Sequence, residues 1–198
     1  FKFTAKFPSI ITHEKRLDNI NSEVFSFLTS LLPIHEKISA LVLQLPPSLT
    51  FDEAKPRLEK LFDMLPNDFV YPIEGRHESW FTDKALNYFK QKKHCLIWNV
   101  VEGVNNPFPI TSDYLYVRLI GDRSIPDKQF GSIRKNKSNF IKKWAQKLID
   151  VTDIPLAIVM ANNHFEGFGP ATANTLGENL GKMELIWEEK KQKTIGNF

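Results

Sequence analysis

The chain has 198 residues, 42% of them apolar and 12% aromatic, and carries 26 basic and 23 acidic side chains for a formal net charge of +3. That composition excludes a disordered polypeptide and is ample for one buried domain. The longest apolar runs, 41–45 and 156–161, fall far short of the roughly 20 residues that cross a bilayer, so no membrane partner is expected.

The basic excess is a weak pull toward anionic partners, despite a pI near 8.9. One cysteine, Cys95, leaves no intrachain disulfide, and no signal-peptide pattern opens the chain; both point to a cytoplasmic setting. Phe1 begins inside an apolar segment without an initiator methionine, and a preceding segment is expected.

Short β-rich runs alternate with stretches of helical spacing along the chain. The first strand is expected over Lys2 to Phe7 and ends at Lys6, which is suited to neutralising an anion. The loop Ile11-Thr12-His13-Glu14-Lys15-Arg16-Leu17 follows, and then a helix with Ser22 as cap before Val24 to Leu32. A second strand, Ala40 to Leu45, is stopped by Pro46-Pro47 and leaves Gln44 at its rim to orient a ligand. Asp52 then caps a helix over Ala54 to Leu65.

The third strand, Phe69 to Gly75, runs into the densest polar segment, Glu74-Gly75-Arg76-His77-Glu78-Ser79-Trp80. The period of two puts Glu74 and Arg76 on one side and turns His77 away unless the loop bends. A carboxylate beside a guanidinium acts as general base and anion clamp, or equally well as a structural ion pair. His77 titrates in the useful range and Trp80 offers a flat stacking surface.

Thr82 caps the next helix, Lys84 to Lys93, and Cys95 to Val101 forms a fourth strand with Cys95 as a buried free thiol rather than a nucleophile. The fifth strand, Tyr114 to Ile120, places Tyr116 and Arg118 on one face. Ser138 precedes a helix over Phe140 to Asp150, whose apolar side is read as Phe140, Trp144 and Leu148. Its basic residues, with Arg134, Lys135 and Lys137, are either the wet face of a helix or a nucleic-acid contact.

The sixth strand, Leu156 to Asn162, ends in Asn162-Asn163-His164, and Gly167-Phe168-Gly169-Pro170 leads into a helix toward Leu180. Those glycines either bring backbone N–H groups to an anion or form an ordinary turn. The segment from Met183 reads as a charged tail, leaving residues 1–182 as a single domain.

Alternating strands and helices argue for a parallel sheet with right-handed crossovers. Phe7-Pro8-Ser9-Ile10 bears no likeness to a glycine-rich dinucleotide turn, which disfavours an open doubly wound sheet. Polar residues at the strand ends favour a TIM-like (β/α) barrel, of which about six of eight units are present. His13, Glu74, His77 and His164 show no metal-motif spacing, so no cofactor is expected and a divalent metal is disfavoured. The sequence carries no signal of oligomeric state.

Several strand ends together resemble the YecE-like family, domain of unknown function 72. The resemblance rests on Phe1-Lys2-Phe3-Thr4-Ala5-Lys6-Phe7-Pro8, the 11–17 loop, Leu43-Gln44-Leu45-Pro46-Pro47-Ser48, the 74–80 segment, Tyr116-Val117-Arg118-Leu119 and Asn162-Asn163-His164. It implies a TIM-like barrel in which Lys2 to Phe7 is the third strand and two earlier strands are missing. Ile120, where the family often has histidine, and the strand end at Trp98-Asn99, where it often has aspartate, depart from the pattern.

The expectation is an enzyme-like barrel that binds a small anionic or phosphorylated ligand at its C-terminal mouth, with hydrolysis as the favoured reaction class. Arg76 and Arg118 clamp the anion, Glu74 or His77 moves a proton, and Asn162 and Asn163 orient the substrate, with Lys6, His13, Gln44 and Trp80 lining the site. The alternatives are a nucleic-acid binder using the 134–147 face, or a barrel that serves interaction rather than catalysis.

Overall fold

The computed structural model describes residues 2–99, 105–121 and 123–182, and these residues form six strands and six α-helices. Strand β1 (Phe3–Lys6) leads to α1 (Asn21–Leu31), β2 (Ile38–Gln44) to α2 (Phe51–Met64), and β3 (Ile73–Glu74) to α3 (Asp83–Lys92). Then come β4 (Trp98–Asn99), β5 (Tyr114–Leu119), α4 (Ser138–Ile149), β6 (Leu156–Ala161), α5 (Asn163–Glu166) and α6 (Gly169–Asn179).

All pairings are parallel, in the orders β1-β2-β3 and β4-β5-β6. A bridge between Ile73 and Leu96 joins the two sheets through Ile73 N–H to Cys95 O and Ile97 N–H to Ile73 O, both 2.8 Å. The expected α/β class with a parallel sheet is therefore present. The expected barrel does not close: among the described residues no pairing joins β1 to β6. Curvature nevertheless brings the Tyr116 hydroxyl from β5 to within 3.0 Å of Thr4 Oγ1 on β1, across the inner face.

Side-chain alternation sorts the core into an outer and an inner layer. Leu41, Leu43 and Ile73 face outward and bury Phe51, Ala54 and Leu58 of α2 and Ala85 and Phe89 of α3. Trp98, Leu115, Val117 and Leu119 do the same for Ile141, Trp144 and Ala145 of α4. The inner face carries Ala40, Val42, Cys95, Ile97 and Tyr116. Cys95 is a buried free thiol, and burial pushes its pKa up to about 12.

Several boundaries differ from expectation. The third strand shrinks to Ile73–Glu74, with Val70 bridging Ala40, because Pro72 has no N–H to extend the ladder. The fourth shrinks to Trp98–Asn99; Val100 and Val101 lie outside the described residues, as does the charged tail from Met183. Thr82 caps α3 as expected, accepting from Ala85 N–H. Thr50 rather than Asp52 caps α2, and Ile20 rather than Ser22 precedes α1. On α4 the buried stripe is Ile141, Trp144 and Ala145, while Phe140 stays partly exposed against Phe165. No described helix is long and apolar enough to cross a membrane.

Between α3 and β4, His94 stacks on Phe62 at 3.8 Å and 16°. Burial first, then the Lys92 charge, lowers its pKa from 6.5 to about 4. The unfolded chain takes up this proton first. His94 is therefore neutral in both states above about pH 6.5, and stability falls as the pH drops from there toward about 4. The slope from this residue is at most about 1.4 kcal/mol per pH unit. Urea midpoints across that window should fall more steeply for the wild type than for His94→Gln.

Candidate functional site

The third, second and fifth strands deliver their C-terminal side chains to one buried point. Gln44 pairs with Glu74 in the β2–β3 register, so both point to the same inner face, and Tyr116 and Arg118 follow two apart on β5. Glu74 is completely buried (0% exposed). Its Oε1 accepts from Arg76 Nε and Nη2, each at 2.7 Å, and its Oε2 accepts from Arg118 Nη1. Arg118 Nη1 also donates to Gln44 Oε1 at 3.1 Å. The guanidinium side chains are only 18% and 16% exposed, so each charge is largely removed from water. One carboxylate faces two guanidiniums, a local surplus of one positive charge.

Arg118 reaches from that cluster to the wall of a cavity of about 230 Å³. Thr4 and Lys6 of β1, Tyr116 of β5, Met160 of β6 and Asn162 line it further, and among the described residues no acidic side chain does. The phenol of Tyr116 is buried and its pKa is raised, chiefly by desolvation, so it stays a neutral hydroxyl. The expected residues Lys6, Gln44, Glu74, Arg76, Arg118 and Asn162 thus gather at the C-terminal ends of the strands.

Others do not. Trp80 is a correction: it is 0% exposed, its Nε1 donates to Leu49 O at 2.8 Å, and it packs against Phe51 and Phe89, so no face is left to stack on a substrate. His77 turns into its own loop, where Nδ1 accepts from Ser79 N–H at 3.1 Å and contacts Ser79 Oγ at 2.9 Å. His13 is exposed on the helical turn after β1 and bonds Thr12 Oγ1 at 2.8 Å.

Asn163 Oδ1 accepts from Gly169 N–H at 2.8 Å, and Gly167 N–H donates to Asn163 O. The two glycine N–H groups therefore close the loop into α6 and are not presented to an anion. Among the described residues no three His, Cys, Asp or Glu converge as metal ligands.

The basic stretch is largely engaged as well. Lys137 and Lys147 lie over the rings of Phe165 and Phe108, and Arg134 donates to Gln129 O; Lys142 and Lys143 are exposed.

Two buried polar residues escape sequence reasoning. Glu166 accepts from Lys137 N–H and Thr172 Oγ1, both at 2.8 Å, and ties the 131–137 loop to α6; between Phe165 and Gly167 nothing marks it as buried. Asn99 ends β4 on the inner face, opposite Arg118 in the ladder. An amide closing an apolar strand is the signal that points to it.

Relatives share this frame. A DUF72 family protein from Thermotoga maritima superposes with a TM-score of 0.76 at 20% identity, over 92% of this chain and 74% of that one. A DUF72 family protein from Enterococcus faecalis gives 0.74 at 20% identity, over 92% and 79%. At that identity the likeness speaks for the fold alone. UPF0759 protein YecE of Escherichia coli K12 is 37% identical over 81 residues, which is 41% of this chain but only 29% of YecE. The family model described as "Protein of unknown function DUF72" matches residues 1–194, and the chain belongs to that family.

Proposed function

We propose that the strand-end cavity binds a small anion bearing phosphate or carboxylate oxygens, on the scaffold of an open TIM-type barrel. The observation that carries this is the Glu74 cluster, in which one buried carboxylate holds two guanidiniums and leaves a positive surplus beside a cavity lined by Lys6 and, among the described residues, by no acid. A single unpaired charge in a low-dielectric site attracts an anion far more strongly than the same charge in water.

Both Glu74 oxygens already accept from guanidinium donors, so its role is to aim Arg76 and Arg118 rather than to carry a proton. Hydrolysis of a phosphoester is the reaction class we assign, because negative charge growing on the phosphoryl oxygens is stabilised by such fixed donors.

Thermal unfolding in the presence of inorganic phosphate and sugar phosphates tests the site. At a hundredfold excess over Kd the stabilisation should reach about 2.7 kcal/mol in the wild type, and it should vanish in Arg118→Gln, where Glu74 keeps Arg76. An equal shift in the variant defeats the assignment. So does a shift produced only by oligonucleotides and removed by Lys142→Ala with Lys143→Ala, which would move the function to the basic face of α4.

A further inference from the structure

We infer that Asn99 supplies a third, neutral donor to the anion site, and that the ligand presents at least two oxygens, one to Arg118 and one to the Asn99 amide. The inference rests on the anion reading above. Strand alternation fixes where Asn99 points: Trp98 packs outward with Val117 and Trp144, while Ile97 packs inward with Val42 and Tyr116. Asn99 therefore shares the inner face with Ile97. It is paired directly with Arg118 on one side. On the other side, it stands two residues beyond Ile97 as Arg76 stands two beyond Glu74, in strands joined at Ile73 and Leu96.

The amide's orientation is fixed by a chain of hydrogen bonds. Phe108 N–H donates to Asn106 Oδ1 at 2.8 Å, so Asn106 Nδ2 is the donor end, and it gives to Ile97 O at 3.1 Å and to Asn99 Oδ1 at 3.2 Å. A flipped Asn99 would set two donors against each other. Its Nδ2 is thereby directed away from Asn106, and it has no hydrogen-bond partner among the described residues although Asn99 is only 1% exposed. A buried amide donor left unsatisfied is destabilising by itself. Next to a guanidinium it has the same polarity as its neighbour, and both would be satisfied by one oxyanion. Being uncharged, the amide adds direction to the site without adding to the electrostatic surplus, which suits it to select the shape of the ligand.

The test uses the full chain and inorganic phosphate. Isothermal titration should show Asn99→Ala binding phosphate about tenfold more weakly, the effect of one hydrogen bond to a charged partner. Asn106→Ala frees the Asn99 amide to rotate but keeps its donor, so the loss should be smaller, less than about threefold on the same scale. Equal losses in the two variants would make Asn99 a merely structural residue and overturn the inference. In the wild type, phosphate should shift the Asn99 side-chain amide resonance in a nitrogen–proton spectrum and leave that of Asn106 nearly still, a readout that needs no variant to fold. An unmoved Asn99 resonance while phosphate binds rejects the donor role alone. No phosphate binding by the wild type rejects both this role and the anion site.

Discussion

Replacing Glu74 by alanine should lower the unfolding free energy by about 3–5 kcal/mol, because it leaves charge buried without a counter-ion. Arg76 and Arg118 are each less than a fifth exposed and both aim at the Glu74 carboxylate, so each keeps only a small part of its hydration. Glu74→Gln keeps one acceptor oxygen but sets an amide N–H₂ against the other guanidinium, and it should be less damaging than alanine while still clearly destabilised.

The accompanying signature is a gain from phosphate. With the internal carboxylate gone, two guanidiniums seek an external anion, and phosphate should stabilise Glu74→Ala more than it stabilises the wild type. Urea denaturation with and without phosphate measures both effects. A loss below about 1 kcal/mol, the range of exposed ion pairs, would mean that water through the cavity mouth already serves the guanidiniums.

The parts of this site that the sequence reveals are those set by local rules. Glu74 and Arg76, and Tyr116 and Arg118, are two apart in extended segments, and the period of two is enough to place each pair on one side. That Arg118 reaches Glu74 rather than some other carboxylate follows from strand order and register, and these are settled by contacts between residues 44 apart.

Trp80 shows the opposite failure. Its nearness in sequence to Glu74 suggested a site residue, yet its partner Leu49 O is 31 residues away and pulls it into the helix layer. The starts of α1 and α2 differ from expectation because Thr50 accepts from Glu53 N–H ahead of Asp52, and α1 begins after Ile20 without any side-chain cap to mark it. Asn99 was legible only as a strand end where the chain departs from the family's aspartate; its hydrogen-bond chain to Asn106 crosses a loop that periodicity does not describe.

The second large effect is expected at Gly75, between the two charged members of the clamp. A Cβ there would lie 2.4 Å from Trp80 Cγ, 2.6 Å from its Cβ and 2.8 Å from its Cδ2, distances that no side-chain rotation accommodates. Trp80 cannot retreat, held as it is by its bond to Leu49 O and by Phe51 and Phe89 on its flanks. The strand end must move instead, and Gly75→Ala should cost about 3 kcal/mol, the upper part of the overpacking range.

Because Glu74 and Arg76 flank the displaced atom, the same substitution should weaken phosphate binding although the added methyl group is directed at Trp80. Trp80→Ala removes Cγ and Cδ2 and, with the indole's bond to Leu49 O gone, frees the remaining Cβ to give way to the new methyl. The double variant Gly75→Ala with Trp80→Ala should therefore be less destabilised than the sum of the two single changes, by at least about 1 kcal/mol of coupling. Additive losses would show that the strand end is not braced by Trp80, and the geometry of the clamp would then have to be held by the guanidinium–carboxylate bonds alone.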